Sequence, residues 1–103
     1  MEHLSFEFGP FEARTPPAGP VIVGVVGSGN LEALLEPAAL QGRMRVEVHT
    51  SARGFGPTWQ AVIGDFAERV RMPDLLVTIN DGGATPAVVG LRLAQAAREI
   101  ESP

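Results

Sequence analysis

A chain of 103 residues, 45% hydrophobic and 19% charged, has the composition of one folded domain large enough for a single core. Twelve acidic against eight basic residues, net charge −4, argue against a nucleic-acid partner, which calls for a surplus of Lys and Arg along one face. Cys, Lys and Tyr are absent and all eight basic residues are Arg, which excludes disulfides, thiolate nucleophiles, Cys-based metal sites and Schiff-base chemistry, and also any carrier whose group sits on a lysine amine.

Residues 1–8 alternate, with Leu4, Phe6 and Phe8 against Ser5 and Glu7, and predict a short edge strand. The acidic residues Glu2, Glu7 and Glu12 fit no signal peptide, and no apolar run approaches bilayer-spanning length, so a cytoplasmic protein with no membrane partner is expected. Residues 9–20, GPFEARTPPAGP, hold four prolines and two glycines and predict a loop, either a flexible linker or a cover over one sheet face.

Residues 21–36 read as strand, tight turn, strand, with the break at Gly27-Ser28-Gly29-Asn30. In the second arm Leu31, Ala33 and Leu35 share one side and Glu32, Leu34 and Glu36 the other. Pro37 ends the hairpin and Gly42 closes the connection to a strand over 43–50. There Met44, Val46 and Val48 form the inward face, and Arg43, Arg45, Glu47 and His49 the outward one. The short link predicts that this strand lies antiparallel beside its predecessor, so that the first half is a meander.

After a loop at 51–58, Trp59, Val62, Ile63, Phe66 and Val70 recur at helical spacing, with Thr58 as candidate N-cap and Pro73 marking the end. Residues 75–79 are apolar and β-branched and predict the most buried strand. Asp81-Gly82-Gly83-Ala84 turns the chain. Thr85-Pro86 then starts a helix, cap hydroxyl followed by proline, whose buried stripe is Val89, Leu93, Ala96, Ala97 and Ile100 and whose outward residues include Arg92, Gln95, Arg98 and Glu99. The order predicts an α+β two-layer sandwich in one domain spanning 1–103: a mixed or mainly antiparallel sheet of about four strands, with two helices on one face.

No dense catalytic constellation falls in one segment, and a lone His49 does not make a metal site. Two stretches stand out. Ser28 between Gly27 and Gly29 is either a turn serine or an uncrowded hydroxyl that another protein can reach. It has no base in its own segment, so self-catalysed chemistry is not expected, whereas a modifying enzyme can supply the base. The glycines at 24, 27 and 29 do not follow the dinucleotide order, a strand rather than a helix follows them, and the Walker lysine is missing. Asp81, Gly82, Gly83 and Thr85 are either a capped strand-to-helix turn or a place where free N–H groups meet an anion or a partner's carboxylate. Trp59 is a core residue or a partner hot spot. A carrier, a small interaction module in which 27–30 is only a turn, and a ligand-binding domain using the Thr85 helix start all remain open on the residues alone.

From Gly24 to Pro37, GVVGSGNLEALLEP, the chain resembles the acyl carrier (delta) subunit of bacterial malonate decarboxylase. The resemblance continues through Val46-Glu-Val-His-Thr-Ser51, Trp59 and Asp81-Gly-Gly-Ala-Thr-Pro-Ala-Val-Val-Gly-Leu-Arg-Leu93. The acyl carrier of citrate lyase is a more distant likeness. The resemblance implies a non-catalytic carrier in which Ser28 bears 2'-(5''-phosphoribosyl)-3'-dephospho-coenzyme A through a phosphodiester, a group that a recombinant apo form would lack. It implies an acetyl or malonyl thioester on that arm, an acyl-transferase (alpha) subunit and decarboxylase (beta, gamma) subunits as partners, and a holo-carrier synthase that attaches the group. The chain departs from the expected pattern at Asn30, where Asp is expected, and at Gly82, where Phe is expected.

Overall fold

Alternation decides which side of each strand turns inward, and one face of the sheet is built from it. The computed structural model describes every residue except Ala13, Val26, Ser28, Ser102 and Pro103. Its elements are β1 (Glu2–Phe8), β2 (Val21–Val23), β3 (Leu31–Pro37), β4 (Met44–Thr50), α1 (Gly56–Val70), β5 (Leu75–Asp81) and α2 (Pro86–Glu101). The strands form one five-stranded sheet in the order β1-β4-β5-β3-β2. Only the β4–β5 pair is parallel, joined by the crossover helix α1; the other three pairs are antiparallel.

Leu31, Ala33 and Leu35 of β3, Met44, Val46 and Val48 of β4, and Leu75, Val77 and Ile79 of β5 are wholly buried and merge with the helix stripes in one core. The helical stripe in α1 is Trp59, Ile63, Phe66, Ala67 and Val70, and in α2 Val89, Leu93, Ala96, Ala97 and Ile100. Each fully buried Leu or Ile contributes about 1.5–3 kcal/mol through its apolar area, so the alternation alone holds the layers together. The opposite face carries Glu32, Leu34, Glu36, Arg45, Glu47, His49, Leu76, Thr78 and Asn80, all half-buried. On it Arg45 pairs with Glu7 of β1 at 2.7 Å, and the His3 and His49 rings stack 4.4 Å apart.

The α+β sandwich stands, with five strands rather than about four, because the alternating 1–8 segment forms the edge strand β1. The meander does not. β3 and β4 are not neighbours; β5 lies between them, paired with both. Two strand spacings are only about 10 Å, and six residues of connection reach about 20 Å, so a short link does not force adjacency. β5, the most apolar strand, takes the central place. The helix start also differs from expectation: α1 begins at Gly56 with Phe55 at the cap position and no side-chain cap bond, so Thr58 does not cap it. α2 starts as expected, with Thr85 Oγ1 accepting from Val88 N–H at 3.3 Å.

The Pro/Gly loop is held at its beginning. Phe11 N–H donates to Gly42 O at 2.8 Å, its ring packs against the core, and the Arg71 guanidinium lies 5.1 Å from the ring centre. Nearby, the Asp74 carboxylate accepts from Leu40 N–H at 3.0 Å and Gly42 N–H at 2.9 Å, and so fixes the link between β3 and β4. These two backbone donors hold the Asp74 carboxyl below the usual carboxylate range.

Candidate functional site

The tight turn expected at 27–30 is part of a longer loop. β2 stops at Val23, and β2 pairs with β3 through Val21↔Leu35 and Val23↔Ala33, leaving 24–30 to cross from one strand to the other. Gly24 ends the strand with φ of 79°, and a Cβ there would run into Leu31 O and press on Arg92. Only glycine meets both conditions without strain.

The foot of this loop is tightly bonded and its crown is open. Gly29 N–H donates to Gly82 O at 2.8 Å, and Gly82 N–H donates to Asn30 O at 2.8 Å. Asn30 N–H reaches back to Gly27 O at 3.1 Å. The Asn30 side-chain oxygen accepts from its neighbour Leu31 N–H at 2.8 Å and from Arg92 Nε at 3.3 Å. By contrast, a Cβ placed on Gly27 or Gly29 would meet no atom within 4 Å. Ser28 lies outside the described residues; its neighbours Gly27 and Gly29 are open on the side where a side chain would stand, while their backbones pack against Gly82. Val25 of the same loop is 69% exposed.

The turn after β5 is the other half of this end of the sheet. Asp81 is buried, and its carboxylate accepts from Thr50 Oγ1 at 2.8 Å and from Ala84 N–H at 2.9 Å. Thr50 Oγ1 in turn accepts from Ala52 N–H at 3.1 Å. Gly82 approaches the loop so closely that a Cβ would overlap Gly27 O. The N–H groups of Gly82, Ala84 and Val88 are thus taken up within the chain. Of Asp81, Gly82, Gly83 and Thr85, Gly82 bonds the loop foot, Asp81 ties the turn to Thr50 and Ala84, and Thr85 caps α2. Gly82, where an aromatic residue was expected, stands where this packing admits no side chain.

Two hollows flank the loop foot. One, about 360 Å³, lies between the starts of α1 and α2 and is lined mainly by Phe55, Trp59, Val62, Ala84 and Val89. The Trp59 side chain is 6% exposed, a core residue forming the floor of that hollow. The other, also about 360 Å³, is polar and runs between the end of β2 and α2, past Gly24, Arg92, Gln95, Arg98 and Glu99. Helical phase alone places Arg92 outward. In the fold it is half-buried, bent over the loop foot, and donates to Asn30 and, at 2.9 Å, to Gln95 Oε1. Nothing in the local sequence signals this, because the partner lies 62 residues away. Among the described residues there is no group of three or more His, Cys, Asp or Glu side chains that could hold a metal ion, and no helix long and apolar enough to cross a membrane.

With this geometry in view, the comparisons are direct. The family model described as malonate decarboxylase delta subunit (MdcD) matches residues 18–100. A malonate decarboxylase acyl carrier protein of Stenotrophomonas maltophilia (strain K279a) is 56% identical over 100 residues, covering 97% of this chain and 94% of that protein. One of Burkholderia cepacia is 56% identical over 105 residues, covering 99% and 93%. Among solved structures, a chain of a Pseudomonas malonate decarboxylase hetero-tetramer in complex with malonate is similar at a TM-score of 0.79 and 45% identity, covering 96% of this chain and 98% of that one.

Proposed function

This chain belongs to the malonate decarboxylase delta-subunit family, a family of acyl carriers rather than catalytic subunits, and from that premise we propose that Ser28 is the attachment point of its prosthetic group. The group is phosphoribosyl-dephospho-coenzyme A, joined to the serine oxygen through a phosphodiester, and it supplies a terminal thiol that the Cys-free chain lacks. The observation that carries the reading is the contrast at Gly27 and Gly29: their backbones are bonded or packed against Gly82, while their side-chain positions face open space. A modifying enzyme can close around the hydroxyl without displacing neighbouring side chains, and the bonded foot keeps the loop from folding away.

On this reading the protein's part in malonate decarboxylation is positional. The partners are an acyl-transferase (alpha) subunit and decarboxylase (beta, gamma) subunits, with a holo-carrier synthase that installs the group. The chain contributes attachment and reach, so that each active site meets the thioester at high effective concentration.

The test is intact-mass measurement of the chain purified from a host that encodes the whole complex. The mass of one prosthetic group is expected on the wild type, located to Ser28 by peptide fragmentation and absent from Ser28→Ala, with malonate decarboxylation abolished in the variant. A working complex with an unmodified Ser28, or full activity of Ser28→Ala, rejects the reading and leaves an interaction module.

A further inference from the structure

The loop foot carries a guanidinium, that of Arg92. Arg92 donates to two neutral oxygens, those of Asn30 and Gln95, and is in no ion pair among the described residues. A half-buried guanidinium held against neutral acceptors keeps most of its capacity for an anion, and its planar fork suits phosphate oxygens. It is also in place beforehand: Gly24 leaves room for the Arg92 stem, and Asn30 and Gln95 fix the orientation of its head. Asn30 follows Ser28 by two peptide units, at most about 7 Å of chain.

From Arg92 the polar groove continues between β2 and α2 past Gln95, three residues on, to Arg98, three residues further and nearly two helical turns from Arg92. Two guanidinium groups line it against one carboxylate, Glu99, in a chain whose net charge is −4. The mainly apolar hollow on the other side of the loop foot has Asp81 as its one charged lining residue and no cation.

We propose that this groove holds the anionic portion of the serine-linked group, its phosphodiester and pyrophosphate, with Arg92 at the near end and Arg98 at the far end. The inference rests on the reading of Ser28 as the attachment point. It assigns the groove a task that the attachment alone does not require: to lay the charged half of the arm along α2 and leave the thiol-bearing half to swing. The arm's reach is then set by the length beyond the groove rather than by the whole group, and salt lengthens it by releasing the phosphates.

The experiment uses the full chain in both forms. On the modified chain, verified by mass, the ³¹P resonances of the pyrophosphate are expected to differ from those of free 3'-dephospho-coenzyme A, and that of the diester from its value in the same chain unfolded in urea. They should move toward these reference values in Arg92→Gln, in Arg98→Gln and at high salt. On the unmodified chain, inorganic pyrophosphate is titrated while the amide resonances of Gly24, Arg92 and Arg98 are followed. Each Arg variant is expected to weaken binding about tenfold, the loss of one charge-assisted contact, and Glu99→Gln to tighten it. Arg98→Gln leaves the Arg92–Asn30 bond in place, so its effect cannot come from a loosened loop. Wild-type ³¹P resonances that match those of both variants overturn the proposal, as does pyrophosphate affinity that none of the three substitutions changes. Arginine-dependent pyrophosphate binding without any ³¹P displacement on the modified chain also overturns it, by making the groove an anion site that the arm does not use. A mass with no added group strikes at the carrier reading instead, and the titration then judges the groove by itself.

Discussion

β5 is bracketed by two aspartates that perform the same task in different settings. Asp74, just before the strand, ties the β3–β4 link through Leu40 and Gly42 at one end of the sheet. Asp81, its last residue, ties Thr50 and the Ala84 turn at the other. Asp81 is 6% exposed, whereas Asp74 is only half-buried. The backbone around them differs too. Near Asp74 the positive φ values belong to side-chain-bearing residues as well as glycine: Gln41 at 57°, Arg71 at 46° and Asp74 itself at 53°. Near Asp81, among the described residues, they belong to glycines alone, Gly24, Gly29 and Gly83. One end accepts strained residues in order to close a connection. The other has been cleared of side chains so that two turns can touch while the crown of one stays open. The difference separates an end that only needs to hold from an end that must hold and present.

The sharpest way to break that arrangement is to add atoms where the two turns meet. Gly82→Val puts a branched side chain into Gly27 O, a backbone atom that moves only if the loop moves. The loop foot should detach, with loss of the Gly29–Gly82 and Gly82–Asn30 bonds. Amide exchange at Gly29 and Asn30 should then approach that of unprotected amides, at a cost of about 1–3 kcal/mol for the overpacking and more for the lost bonds. Installation of the group on Ser28 should slow sharply, because the hydroxyl is no longer presented from a fixed base. Unchanged protection at Gly29 in the variant would show that the contact is not what holds the loop.

Removing a carboxylate should matter next most, and more at Asp81 than at Asp74. Asp81→Ala leaves the buried Thr50 hydroxyl and the half-buried Ala84 N–H without their acceptor. At about 1–3 kcal/mol for each unsatisfied buried donor, a loss of roughly 2–4 kcal/mol is expected, measured by urea unfolding with the slope unchanged. A loss no larger than that of Asp74→Ala would erase the distinction between the two ends.

How much of this was readable beforehand follows the range of the forces involved. The faces of β3 and β4 and the buried stripe of α2 are visible in the sequence because alternation and helical spacing are local patterns with one physical cause. The α2 start is visible because Thr85-Pro86 is a local capping signal. The place of β5 between β3 and β4 is not visible, since it depends on which strand gains most from burial on both faces once the chain has collapsed. The α1 start at Gly56 has no side-chain cap, and its signal is Pro57 in the first turn rather than the Thr58 hydroxyl. At the candidate site the glycines around Ser28 mark the loop plainly, but a tight turn was expected where Gly24 in fact opens a longer one. Arg92 and Gly82 could not have been placed there from the sequence, as their partners at Asn30 and Gly27 lie far off along the chain.

The smallest expected effect is also the most diagnostic of the outer aspartate. The N–H groups of Gly42 and then Leu40 hold the Asp74 carboxyl below its ordinary value of 3.8, against a weaker opposing effect of burial. A carboxylate whose pKa is depressed by folding adds stability that is fully present above the unfolded value and is lost as pH falls through the folded one. Asp74→Asn keeps a side-chain acceptor for both donors and tolerates the 53° φ, so it removes the charge and little else. At neutral pH the variant should melt slightly below the wild type. The gap should close as pH drops below 3.8 toward the folded-state value, where the wild-type carboxyl is itself protonated. A gap that stays constant across that range would mean that the charge contributes nothing, and that Asp74 holds its end of the sheet by shape alone.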